Sequence, residues 1–189
     1  MQEVFRNAVY HAEPTVLNRR LLPLCLGHCY ILMAAESPFA VDTKPTLFDL
    51  AFAAGICSRS FEDGEAWIKS PKLADECVAW GKTCRKLTFS KESDAFRAYI
   101  RTFSAMPARF LPKSAKPCLH PWPLFVAAHL IGCVHIPEAR AWNMPLPMAI
   151  SLSSAFAETQ GDKSLESEQD RQMIEELKAK AAKEKQVTE

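Results

Sequence analysis

Glycine is scarce in this chain of 189 residues. Its six glycines are scattered along the sequence, which leaves no glycine-rich loop of the kind that binds phosphates or dinucleotides. The Gly-x-Ser-x-Gly nucleophile elbow and the His-Glu-x-x-His zinc motif are missing as well. The sequence therefore carries no nucleotide-binding, serine-hydrolase or zinc-peptidase signature.

Long apolar runs are also missing. The most apolar stretch, residues 122–134, is about a dozen residues long and contains His129, whereas a membrane-spanning helix needs roughly twenty apolar residues. Residues 1–11 lack the apolar centre of a signal peptide. We therefore expect a cytoplasmic protein with no membrane span.

The seven cysteines include no Cys-x-x-Cys pair, which is the compact unit typical of structural zinc sites. Three groupings come closest: Cys25 with His28 and Cys29, Cys118 with His120, and Cys133 with His135. We interpret most of these thiols as reduced and buried, and we expect no metal or cofactor. A catalytic Cys–His pair stays open as a hypothesis, because the fold decides which cysteine meets which histidine.

Charge is nearly balanced overall, at +1, but it is unevenly distributed. Nine basic and two acidic residues lie between Lys82 and Lys116, while nine acidic and six basic residues lie between Glu158 and Glu189. The basic stretch provides a candidate interaction surface, made of Lys82, Arg85, Lys86, Arg97, Arg101 and Arg109. Solvated helix faces are the simpler interpretation of the same charges.

Helical periodicity with local capping signals dominates the first 161 residues. Thr46 with Asp49, and Ser60 with Asp63, have the spacing of helix N-caps. Further helices are predicted over 25–36, from Ser70-Pro71, from Ser90 to Pro107, over 124–134, and around 148–156 with a cap at Gly161. No segment has the alternation of a strand.

Two of these helices carry predictions about packing. Residues 124–134 are apolar nearly all round and are therefore predicted to form the central buried helix. In the last helix, the predicted packed face consists of Met148, Leu152, Ala155 and Phe156.

The predicted fold is all-α: an irregular bundle of about six to seven helices over residues 1–161, of which residues 1–13 form a loose arm. Residues 162–189 read as a charged helix or disordered tail, in which Ile174 and Leu177 are the apolar stripe. Gly27 and His28 are interpreted as structural, since glycine permits a tight turn or a close helix approach and the histidine can bond a carbonyl.

Three patches resemble small helical proteins encoded in phage and prophage tail modules. The first runs from Leu21-Leu22-Pro23 through Gly27-His28 to Ser37-Pro38-Phe39, and the second from Leu47 through Cys57-Ser58-Arg59-Ser60-Phe61. The third runs from Ala155 through Gly161-Asp162 to Ser164-Leu165. The resemblance covers about a quarter of the chain and brings no catalytic residue. It implies a role in tail assembly, as a chaperone-like partner of the tape-measure protein.

Three hypotheses follow from the sequence. The first is a non-enzymatic phage tail assembly or accessory protein that acts through protein–protein interaction. The second is a regulatory DNA-binding protein that uses the basic segment 82–116, with a helix-turn-helix between Ser70 and Phe103. The third is a small enzyme that uses a Cys–His pair.

Overall fold

The computed structural model describes residues 14–83, 89–104 and 120–161, together with Met173 and Leu177. Within these ranges the elements are β1 (Thr15–Val16), β2 (Arg19–Arg20), α1 (Leu26–Ala34), α2 (Leu47–Cys57), α3 (Phe61–Ile68), α4 (Leu73–Thr83), α5 (Phe89–Phe103), α6 (Trp122–Gly132), α7 (Glu138–Asn143) and α8 (Leu146–Thr159). The predicted all-α class is confirmed. The eight described helices exceed the predicted six to seven because α7 is a short separate helix. The predicted arm, 1–13, lies outside the described residues, as does the tail except for Met173 and Leu177.

Local capping chemistry sets several helix ends, as predicted. The Thr46 hydroxyl accepts from the Asp49 N–H at 3.3 Å, and the Asp49 carboxylate accepts from the Thr46 N–H at 2.7 Å. Ser60 accepts from the Asp63 N–H at 3.1 Å at the start of α3. Gly161 follows α8 with a φ of 89°, which is the left-handed conformation of a helix cap. These caps are confirmed.

The start of α4 differs from the prediction. It begins at Leu73 rather than at Ser70-Pro71, because the residues between them form a turn in which the Leu73 N–H donates to the Ser70 carbonyl at 3.2 Å. Helix α5 already includes Phe89, one residue before the predicted start at Ser90, and it ends at Phe103. Pro107, the predicted terminator, lies outside the described residues.

The central helix is α2, and the prediction that residues 124–134 hold this position is wrong. The buried residues of α2 are Leu50, Ala51, Ala53, Ala54, Gly55, Ile56 and Cys57, and helices α1, α3, α4 and α5 all pack against it. Helix α6 fully buries Pro123, Ala127 and Leu130, while Phe125 on another face is 47% exposed. Small side chains let several helices approach one axis, and α2 has more of them than α6.

Helix α8 packs through a different face from the one predicted. Its buried residues are Leu146, Pro147, Ala149, Ile150, Ser153 and Ser154. Met148 and Leu152, which belong to the predicted packed face, are exposed, as is Ala155. Both faces of this helix carry apolar residues, so periodicity does not choose between them. The face that is buried is the one that meets α6, which packs against α8.

A short hairpin, which the sequence did not predict, precedes α1. Strands β1 and β2 pair in antiparallel fashion around a turn in which Leu17 and Asn18 have φ values of 51° and 59°. Positive φ at both positions is the geometry of a type I′ turn, which normally selects Asn and Gly. Leucine gives no such signal. Its N–H donates to the Glu92 carboxylate of α5 at 2.7 Å, which holds the turn in place.

The two ends of the described body meet at the start of α1. The Leu146 N–H donates to the Leu24 carbonyl at 2.7 Å, and the Leu26 N–H donates to the Met144 carbonyl at 3.4 Å. These bonds join the entry to α8 to the entry to α1. No described helix is long and apolar enough to cross a membrane.

Gly27 lies where α1 crosses the start of α3, and this contact yields a prediction. A Cβ atom at Gly27 would overlap the Phe61 ring, and it would lie 2.8 Å from the Phe61 Cβ, whereas a Cβ at Gly132 would meet nothing within 4 Å. We expect Gly27→Ala to lower the free energy of unfolding by about 1–3 kcal/mol, because the helices must separate. Urea unfolding measures the effect.

Gly132→Ala is the matched control. It also places alanine at a helical glycine but in open space, so we expect stability to be unchanged or raised by up to about 1 kcal/mol. Equal effects of the two substitutions would contradict the assigned helix contact.

Candidate functional site

His28 is buried, and both of its ring nitrogens are bonded to backbone. Its Nε2 donates to the Arg59 carbonyl at 2.8 Å, while its Nδ1 accepts from the Cys25 N–H at 3.3 Å. Burial lowers the pKa of His28 from 6.5 to about 4, and the bond to Arg59 offsets this only in part. The imidazole is therefore neutral at pH 7, and it joins the start of α1 to the loop after α2.

Three thiols lie in the same region, and burial raises their pKa values. The pKa of Cys25 rises to about 11, and those of Cys29 and Cys57 rise further. Cys57 hydrogen-bonds Tyr99, whose hydroxyl donates to the Leu22 carbonyl at 2.8 Å. A protonated thiol is a weak nucleophile. The structure thus brings cysteines close to His28 without activating any of them.

A serine–histidine contact that no sequence pattern predicts joins α6 to α8. Ser153 Oγ lies 3.1 Å from Nδ1 of His129, and the His129 ring packs edge-on against Phe156 at 5.4 Å. A nucleophilic serine needs a further group to orient its histidine. Among the described residues, no carboxylate hydrogen-bonds His129. The contact works as a hydrogen bond between helices.

An arginine and two tryptophans form a cluster over the C-terminal end of α2. The Arg59 guanidinium lies 4.4 Å from the centre of the Trp67 ring, and it donates to the Gly55 carbonyl at 2.7 Å. Trp67 stacks on Trp80 at 5.4 Å and donates from Nε1 to Glu76 at 2.9 Å. Aromatic stacking, cation–π contact and hydrogen bonding meet here, so these tryptophans pack the body.

Three of the six basic residues predicted as an interaction surface lie among the described residues. Lys82 is exposed near the end of α4, and Arg101 is exposed in α5. Arg97 forms an ion pair with Asp42 and donates to the Thr43 carbonyl at 2.8 Å. Arg85, Lys86 and Arg109 lie outside the described residues. Of the three residues that are described, Arg97 is thus held by bonds within the body.

An apolar groove lies between the start of α2 and the second half of α4. It has a volume of about 290 Å³ and is lined by Leu47, Phe48, Cys77, Val78, Gly81 and Lys82. We call it the α2–α4 groove. Phe48 is 45% exposed and Val78 is 49% exposed, while Cys77 and Gly81 are buried and form the floor. A Cβ atom at Gly81 would lie 3.1 Å from Leu47. The lack of a side chain at this position therefore deepens the groove.

The groove has little capacity for chemistry. Among the described residues that line it, the titratable groups are the Cys77 thiol and the Lys82 ammonium group, and burial raises the pKa of Cys77 to about 11. Nowhere in the described ranges do three His, Cys, Asp or Glu side chains converge as metal ligands. Comparison with protein-family models, with curated proteins and with solved structures gives no match.

The pKa of His28 predicts a pH dependence of stability. The unfolded chain binds a proton at His28 near pH 6.5, whereas the folded chain binds it only near pH 4. Stability is therefore complete above pH 6.5 and falls as the pH drops towards 4. We expect a loss on the order of 3 kcal/mol relative to His28→Gln, which does not titrate. Urea unfolding from pH 7.5 to 4 measures it.

The control for this experiment is Gly132→Ala, which changes an exposed position without altering a titratable group. The pH dependence of its stability should follow that of the unmodified chain. If the His28→Gln curve also runs parallel to the unmodified one, the assigned burial of a neutral imidazole is wrong.

The raised thiol pKa values predict slow alkylation. In the folded protein at pH 8, iodoacetamide should modify exposed Cys133 and should react with Cys25 and Cys77 on the order of a hundredfold more slowly, because few of their thiols are ionised. Peptide mass spectrometry over time measures each rate. Unfolding in urea should equalise the rates, and rapid modification of Cys25 in the folded protein would instead favour the enzyme hypothesis.

Proposed function

We propose that this protein acts by binding another protein through the α2–α4 groove, and not by catalysis. The observation that carries the proposal is the exposure of Leu47, Phe48 and Val78 side by side on two packed helices. Single exposed apolar side chains are ordinary, but an adjacent group around a concave floor is typical of an interaction site.

The lining of the groove indicates what kind of partner fits. The apolar side chains suit one or two large apolar residues from a partner helix, which enter a groove one turn apart. Lys82, at the rim, suits a carboxylate beside them. The partner segment is therefore an amphipathic helix with acidic residues next to its apolar stripe.

The finer proposal is a role in phage tail assembly, with a tape-measure protein as the partner and the bacterial cytoplasm as the place of action. It rests on the resemblance of three sequence patches to tail-module proteins. A compact helical body with an open apolar groove is compatible with this role, since an assembly factor needs a binding surface and no reactive group. The buried, protonated thiols are compatible with it too.

Two matched substitutions test the groove. Phe48→Glu places a charge in the groove, whereas Phe125→Glu changes a phenylalanine of almost equal exposure, 47% against 45%, on α6. We expect Phe48→Glu to weaken binding to the tape-measure protein of the same phage or prophage by more than about tenfold, because a buried apolar contact is lost. Phe125→Glu should leave the affinity unchanged. Titration calorimetry with the purified proteins measures both.

The salt dependence of the affinity distinguishes this function from DNA binding. Apolar docking should survive 0.5 M sodium chloride, whereas binding to phosphates falls steeply with salt. No binding of the tape-measure protein would overturn the tail-assembly role. Salt-sensitive binding to duplex DNA that is unaffected by Phe48→Glu would favour the basic segment as the functional surface.

A further inference from the structure

The described residues also include a pair of exposed apolar side chains beyond the helical body. Met173 and Leu177 are both helical, and their side chains are 57% and 59% exposed. Residues four apart lie one above the other on a helix. We call this pair, which stands in a charged sequence, the apolar stripe, and one other surface could cover both of its side chains.

The α2–α4 groove offers an apolar surface that could cover Met173 and Leu177. The groove exposes Leu47 and Phe48 on α2 opposite Val78 on α4, with a low floor at Gly81. The groove has a volume of about 290 Å³. Two flexible side chains one helical turn apart would bury more apolar area in it than on a flat surface, because each would enter between the two helices.

Charge complements this fit. Between Glu166 and Leu177 the sequence has five acidic residues and one basic residue, while Lys82 is the charged side chain among the described residues that line the groove. A carboxylate next to the apolar stripe would meet the lysine at the rim, and the attraction would weaken with salt. The same composition disfavours docking on an acidic part of the body.

The length of chain between the body and the stripe is sufficient. Twelve positions separate Gly161, the last described residue of the body, from Met173, and they extend over as much as about 40 Å. Helices α8, α6, α1 and α2 pack one against the next, at about 8–10 Å between neighbouring axes. The distance from α8 to α2 is then about 30 Å, which lies within reach.

We propose that the chain's own segment 166–177 is a ligand of the α2–α4 groove, with Met173 and Leu177 packed against Leu47, Phe48 and Val78 and with its carboxylates beside Lys82. The inference rests on the proposed function of the groove as a helix-binding site. The tail occupies the groove from within the same chain, and a partner protein must displace it.

In this arrangement the tail competes with the partner protein for the groove and so inhibits partner binding. A tethered segment competes at an effective concentration of about 1 mM, so even a weak contact reduces the fraction of free grooves. Releasing the tail should raise the partner's apparent affinity by about two- to tenfold. The deletion of apolar tail residues should therefore strengthen partner binding, whereas the deletion of groove residues weakens it.

Photo-crosslinking in the full-length chain tests the contact. A benzophenone side chain is introduced at Ala74, which is exposed and lies one turn before Val78 on α4. Irradiation of a mixture of ¹⁴N- and ¹⁵N-labelled protein distinguishes links within a chain from links between chains. We expect a link within one chain to the peptide that contains Met173 and Leu177. The same probe at exposed Ala128, on α6, should not give it.

The decisive variant is Met173→Glu with Leu177→Glu, and its matched control is Gln172→Glu with Gln186→Glu. Both add two carboxylates to the tail, but only the first replaces the two apolar side chains that are proposed to contact the groove. The first should reduce the link by more than about tenfold, since two buried apolar side chains are lost, while the control should retain it. Circular dichroism checks that both variants fold.

Three outcomes would overturn the proposal: no link from position 74 to this peptide, a link that the Met173/Leu177 variant leaves undiminished, or a link only between chains, which would assign the groove to a second copy. The proposed function is tested separately by Phe48→Glu. If that substitution abolishes tape-measure binding while the tail variants change neither the link nor the affinity, the inference fails and the proposed function stands.

Discussion

Four helices are able to pack closely around α2 because most of its buried residues are small. Ala51, Ala53, Ala54 and Gly55 are buried on its surface, and four other helices pack against it. A Cβ atom at Gly55 would overlap the ring of Trp67 and lie 2.8 Å from that of Trp80. The two indoles therefore rest directly on the backbone of α2. Large residues on α2 would push α3 and α4 outwards and would open the core.

Polar contacts add to this packing at the C-terminal end of α2. Arg59 follows Gly55 by four positions, so its guanidinium is able to donate to the Gly55 carbonyl, and it also lies over Trp67. The carbonyl of Arg59 in turn accepts from His28, so α1 is joined to the same point. Burial holds His28 and the thiols near it in their neutral forms at pH 7. Such a site stabilises a fold and offers no reactive group.

The groove arises where this packing changes along α2. Towards the C-terminal end the helix is covered by the indoles, while at its N-terminal end Leu47 and Phe48 are 38% and 45% exposed. Gly81 on α4 lowers the surface opposite them. An apolar concavity with one lysine at its rim is the result. The proposed binding of an acidic amphipathic helix, from a partner or from the chain's own tail, depends on this feature.

The sequence by itself determined the helical class, the capped starts of α2 and α3, the cap at Gly161 and the lack of familiar catalytic motifs. These features are local, since a cap depends on residues three apart and a motif on a short run of the chain. Only the tertiary structure decided that α2 is central, that α8 packs through Ser153 and Ala149, and that Leu17 turns a hairpin. It also brought together the two halves of the groove, Phe48 and Val78, thirty positions apart. Burial depends on neighbours that are distant in the chain, and apolar periodicity shows which residues are able to pack but not which of them find a partner.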